Sequence, residues 1–150
     1  MSTWSSYQQY RLGNEQYLLR TSGFEHFEFH NATSSSTCYL AGYIRTSCDK
    51  SYSIRIDIPN FPYECPSTYV TYPCPLNDFW GKSLVELGTS STMHTLVPKD
   101  NYVQLCLYKR SIWDSSVTLL KLIIKAHLWL EAYEKHLVTA RPIDEFVLEM

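Results

Sequence analysis

Within residues 93–120, His94, Cys106 and Trp113 stand around what reads as a loop leading into a helix. A cysteine in a loop with cations near it in sequence suits nucleophilic chemistry, because positive charge favours the thiolate. Lys109 and Arg110 follow Cys106 by three and four positions, and Lys99 precedes it. A plainer role fits as well. Leu105-Cys106-Leu107 is apolar, and a cysteine in such a run commonly packs as a small hydrophobe.

Other groupings carry less. His26, Glu28 and His30 would put three metal-capable side chains on one face of a strand, but an exposed polar face opposite Phe27 and Phe29 explains them better, and no metal is expected. Ser90 and Ser91 lie near His94, yet no G-x-S-x-G turn is present and none of the 15 carboxylates declares itself as a partner. His127 and His136 read as a satisfied buried residue and a helix-dipole partner, respectively, rather than as catalytic groups. Five cysteines at wide spacing, with no C-x-x-C pair, suit neither a zinc site nor a disulfide framework.

The elements that must position these residues belong to a chain of 150 residues, the size of one domain. Hydrophobic residues make up 45% and charged residues 19%, too apolar for a disordered chain. With 13 basic and 15 acidic residues the net charge is -2, so no global field recruits a nucleic acid or an anionic membrane. The 12 tyrosines are accompanied by few basic residues, which favours packing over base stacking. The start lacks a basic and then apolar leader, and the stretch 119–130 is too short and too charged to span a bilayer. These features predict a cytoplasmic protein with reduced cysteines.

Trp4, Tyr7, Tyr10 or Arg11, Asn14 and Tyr17 or Leu18 recur at helical spacing, which, although Gly13 interrupts it, predicts an N-terminal helix. Four strands follow: one alternating through Phe27 and Phe29, one from Tyr39 to Ile44, one through Tyr52, Ile54, Ile56 and Ile58, and one over 68–72. Short turns between them predict an antiparallel meander. Residues 76–105 hold no long periodic segment and read as an irregular, functional loop. Residues 116–139 read as a long, largely apolar helix with Asp114, Ser115 or Ser116 as N-cap and Arg141-Pro142 just past its end. The expected fold is therefore a single α+β domain: helix, four-stranded meander, long active-site loop, and C-terminal helix packed on the sheet.

Taken in order, these residues resemble the ubiquitin-conjugating enzyme (UBC-like) family. Phe61-Pro62-Tyr63-Glu64-Cys65-Pro66 matches the family's Tyr-Pro-Phe-x-Pro-Pro loop after the third strand. His94-Thr95-Leu96 stands where the family has His-Pro-Asn, Leu105-Cys106-Leu107 where it has its catalytic cysteine, and Trp113-Asp114-Ser115 where Trp-x-Pro opens a helix. The proline and asparagine of the first motif and the proline of the last are absent. His94 lies twelve positions before Cys106, more than in the eukaryotic enzymes. The ending, 129–139, looks like the bacterial UBC-like proteins, whose stand-alone members are encoded in antiphage (CBASS) operons beside a cGAS-like nucleotidyltransferase.

The resemblance implies an acyl transferase that carries the C-terminal carboxyl of a partner protein as a thioester on Cys106. The partner would be a ubiquitin-like protein or the nucleotidyltransferase itself, and any activating enzyme would act in trans. No cofactor is implied. Asn101, His94 or backbone N–H groups of the 94–106 loop would replace the missing asparagine as oxyanion donors, with Asn101 favoured. His94 would brace the loop, as this histidine does in the family. Asp114 would orient or deprotonate an incoming lysine, or else cap the helix. A UBC-like binding scaffold without chemistry is the alternative, and the lost asparagine points that way.

Overall fold

The first helix shows how burial is decided by hydrogen bonding as much as by hydropathy. In the computed structural model, which describes residues 2–147, α1 spans Ser6–Thr21. Ser5 caps it: its hydroxyl accepts from the Gln8 amide, and the Gln8 side chain accepts from the Ser5 amide. The helix matches the sequence expectation, and of the residues at helical spacing Trp4, just before it, is buried and Arg11 and Leu18 are half-buried. Tyr7, Tyr10 and Tyr17 are exposed, whereas Gln8, Glu15 and Leu19 are buried, with Leu12 partly so. Buried polar groups are tolerated when their hydrogen bonds are made, and here they are. The Gln8 amide donates to Asn60 Oδ1 and to the Phe61 carbonyl, each at 3.0 Å.

Four antiparallel strands follow: β1 (Glu28–His30), β2 (Tyr39–Arg45), β3 (Ser51–Asp57) and β4 (Ser67–Tyr72). Period-two alternation sends Leu40, Ile44, Tyr52, Ile54, Ile56, Thr68 and Val70 into the core. Gly42 belongs to the same face, and a Cβ there would sit 2.5 Å from the Phe27 ring.

The sheet has six strands rather than four. The stretch 76–105, expected to be irregular, contains a short helix α2 (Leu84–Leu87) and a hairpin of β5 (Thr95–Lys99) and β6 (Tyr102–Leu105). The sheet order is β1-β2-β3-β4-β6-β5, so the hairpin pairs through β6 with β4. The strands are short, β5 carries Pro98, and Val103, Gln104 and Leu105 are buried in succession. None of this leaves an alternating pattern; proline is accommodated because β5 is an edge strand.

Helix α3 spans Leu119–Thr139 and lays Leu119, Leu122, Ile123, Ala126, Trp129, Leu130 and Tyr133 against the core. Each large side chain fully buried in this way contributes about 1.5–3 kcal/mol. Its N-cap is Thr118, not the earlier Asp114, Ser115 or Ser116. The first amide of the helix, that of Leu119, donates to Glu15 Oε1 at 2.7 Å. Arg11 pairs with the other Glu15 oxygen at 2.9 Å and donates to the carbonyls of Ser115 and Val117. A carboxylate at a helix N-terminus is electrostatically favoured, and here it comes from a different helix. No described helix is long and apolar enough to cross a membrane.

Candidate active site

Cys106 lies one residue past β6 and is half-buried. Leu105 and Leu107 on either side are buried. Its amide donates to the His94 carbonyl at 2.8 Å, so His94, immediately before β5, faces Cys106 across the hairpin. His94 and Cys106 are thus brought together by backbone pairing of two edge-proximal strands.

His94 holds a left-handed backbone, φ 52°, which costs a non-glycine residue about 1–2 kcal/mol. Three neighbouring groups oppose its relaxation. Nε2–H donates to Asp144 Oδ1 at 2.7 Å, the Asp144 amide donates to the Thr92 carbonyl at 2.8 Å, and Trp129 Nε1–H donates to the Met93 carbonyl at 3.0 Å. Asp144 comes from a 3-10 turn, Ile143–Glu145, that follows α3 and is anchored by the fully buried Ile143.

Cys65 lies close to Cys106 and beside Arg110. Burial pushes the Cys65 thiol up, the Arg110 cation opposes that shift, and Cys106 is close enough to add to it. Arg110 is fixed by the Cys65 carbonyl at 3.2 Å and the Ser67 hydroxyl at 2.8 Å. Lys125 donates to the Leu107 carbonyl at 3.1 Å and lies 4.3 Å from the Tyr108 ring centre. The Tyr108 ring meets Trp113 edge-on, and Trp113 Nε1–H donates to the Pro62 carbonyl at 2.9 Å. The segment after the cysteine is thereby tied to the proline loop. The amides of Leu107, Tyr108 and Lys109 have no acceptor among the described residues.

Asn101 is separated from this group. It forms the β5–β6 turn with Asp100, both at positive φ, the conformation a tight hairpin turn needs. With all of β6 between them, Asn101 and Cys106 lie on the order of 15 Å apart. Its carbonyl accepts from the Cys74 thiol instead. Asp114 is exposed beyond Trp113, and its Oδ1 accepts the Ser116 amide at 2.7 Å, which lowers its pKa. It shapes the turn into α3 without being the N-cap.

Other sequence candidates take structural positions. His136, not His127, is the buried histidine. Its Nδ1–H donates to the Arg141 carbonyl and its Nε2 accepts from the Phe79 amide. His127 is an exposed-side partner of Glu131. His26 faces the Tyr43 carbonyl and His30 stacks on Tyr39. No group of three or more His, Cys, Asp or Glu side chains is placed to hold a metal among the described residues. Asp144, Cys65 and Ser67 are the site residues that sequence reasoning did not single out.

No family model, curated protein or solved structure matches the chain.

Proposed function

We propose that the chain is a ubiquitin-conjugating-enzyme-like acyl transferase with Cys106 as its nucleophile. The observation that carries this reading is the setting of Cys106: a half-buried thiol at a strand end, its own amide held by His94 and followed by unengaged amides. The order of elements around it is consistent with the sequence resemblance: a leading helix, strands β1–β3, the proline loop, β4, then, past the β5–β6 hairpin, Cys106, Trp113 and a long helix.

In the first step the Cys106 thiolate attacks the activated C-terminal carbonyl of a partner protein. A C–S bond forms, the carbonyl π electrons pass to oxygen, and collapse of the tetrahedral species expels the activating group. In the second step an amine, such as an acceptor lysine, attacks the thioester, loses a proton and releases the Cys106 thiolate. Catalysis rests largely on holding the two protein partners in register. The His94 ring is engaged with Asp144 and Asn101 is remote, so the free amides of Leu107 and Tyr108 are the best-supported donors to the oxyanion. His94 serves as a brace. Asp114, exposed beside Trp113, is available to an incoming lysine. The proposed setting is cytoplasmic, with activation in trans and the bacterial antiphage context that the sequence resemblance implies.

The test is incubation with a carboxyl-activated partner tail. Wild-type protein is expected to form a thiol-labile adduct that Cys106→Ser lacks. An adduct that survives thiol and persists in Cys106→Ser rejects the mechanism. The distance of Asn101 from Cys106 favours the second reading, a binding scaffold. Labelling of Cys106 no faster than exposed Cys48 is the result that reading expects.

A further inference from the structure

We infer that Asp144 is a positioning residue for Cys106, acting through His94. This rests on the acyl-transfer reading for its purpose, but the coupling itself is a property of the fold. The path has three links. The Asp144 carboxylate accepts from His94 Nε2 at 2.7 Å, the His94 carbonyl accepts from the Cys106 amide at 2.8 Å, and the Asp144 amide grips the Thr92 carbonyl at 2.8 Å. Asp144 therefore holds the chain both two residues before His94 and at His94 itself.

What is held is a left-handed backbone at His94, a conformation uncommon for a residue with a side chain. At φ 52° its peptide planes are set opposite to those of an ordinary right-handed or extended residue. Relaxation of that angle rotates the His94 carbonyl away from Cys106. The amide of Cys106 then loses its acceptor, and the direction of the following peptides, those of Leu107 and Tyr108, is no longer set. The residues on either side of His94 are held locally, Thr95 by a two-way backbone bridge to Ser90 and Met93 by the Ser90 hydroxyl, whereas the His94 side chain is held by Asp144.

The brace is a hydrogen bond from a fixed position. Ile143, adjacent to Asp144, is fully buried, and the turn it begins closes with the Phe146 amide on the Ile143 carbonyl at 2.9 Å. The neighbouring charges are otherwise occupied, since Arg141 pairs with Glu145 at 3.3 Å. Among the described residues His94 is the one side chain that the Asp144 carboxylate meets. Because the contact needs an acceptor oxygen rather than a charge, asparagine should substitute and alanine should not.

The experiment compares wild type, Asp144→Asn and Asp144→Ala by amide hydrogen exchange and by rate of thioester formation with a carboxyl-activated peptide. In Asp144→Ala the Cys106 amide should exchange roughly tenfold faster, the loss of about one hydrogen bond, while Ile54 in β3 keeps its protection. Long-range nitrogen–proton spectra of the imidazole should pass from one tautomer, Nε2–H, to a mixture. Thioester formation should slow by a similar factor, and Asp144→Asn should stay within about threefold of wild type on all three readouts. Unchanged Cys106 exchange in Asp144→Ala overturns the inference. So does equal acceleration at Cys106 and Ile54, which marks general destabilisation. If wild type forms no thioester, the acyl-transfer reading fails, while the exchange and tautomer data still decide the coupling.

Discussion

Replacing Glu15 by alanine measures how firmly the segment after Trp113 is joined to its helix. Glu15 is 3% exposed and its oxygens serve different groups, Oε1 the Leu119 amide and Oε2 the Arg11 guanidinium. Truncation leaves the fully buried Leu119 amide without an acceptor, at a cost of about 1–3 kcal/mol. It also strips the carboxylate from Arg11, 12% exposed; removing one partner of a buried ion pair costs about 3–5 kcal/mol. These costs share one carboxylate and do not add. Arg11 keeps the Ser115 and Val117 carbonyls, so the lower end, about 3 kcal/mol, is expected. With an m value of about 2 kcal/mol per molar urea, the unfolding midpoint should fall by about 1.5 M. Glu15→Gln retains an acceptor for Leu119 but turns an NH2 group toward Arg11, and should cost less than alanine, about 2 kcal/mol, since only the ion pair is lost. A loss below 1 kcal/mol for Glu15→Ala, or equal losses for the two variants, refutes the clamp as described.

Three further outcomes follow from the packing and ionisation of the fold. Gly42→Ala puts a methyl group into the Phe27 ring and should cost about 1–3 kcal/mol, less when combined with Phe27→Leu; strictly additive losses in a double-mutant cycle argue against that contact. Burial raises Tyr133 to about 12, so the folded chain keeps a proton that the unfolded chain releases near pH 10. Stability should be intact below pH 10 and fall as pH rises toward 12, with a shallower fall in Tyr133→Phe; identical slopes contradict it. Tyr52 shifts in the same direction, by burial and by its bond to Glu134. Burial raises Cys38 to about 11. Iodoacetamide at pH 8 should therefore label Cys48 and Cys74 and spare Cys38 until urea is added, and mass spectrometry showing native Cys38 labelled as fast as Cys48 is the contrary result.

Where alternation or helical period was strong, the elements could be read directly. The strand through Tyr52, Ile54 and Ile56 is β3, and the apolar run around Ile123 and Leu130 is α3. The inner face of α1 was not legible in the sequence, because polarity alone does not reveal that Gln8 and Glu15 have buried partners. The β5–β6 hairpin was hidden by its brevity, by Pro98 and by burial on both faces of β6. At the site, the joining of His94 to Cys106 depends on that hairpin, so sequence order suggested their neighbourhood without fixing their geometry. Asp144 was invisible for a different reason. It is one carboxylate among 15, and its role is created entirely by the turn that returns the chain after α3. Asn101, an attractive donor by residue type, is spent on a turn whose positive φ asparagine tolerates.

The bond between Asp144 and His94 also sets an order in time. Translation proceeds from the N-terminus, and Asp144 is added 38 residues after Cys106. A chain still under synthesis thus carries Cys106 before it carries the residue that fixes its neighbour His94. The thiol gains its braced neighbour only once residue 144 has emerged and the turn has closed behind α3, so this arrangement is coupled to the emergence of that turn rather than to the appearance of the cysteine.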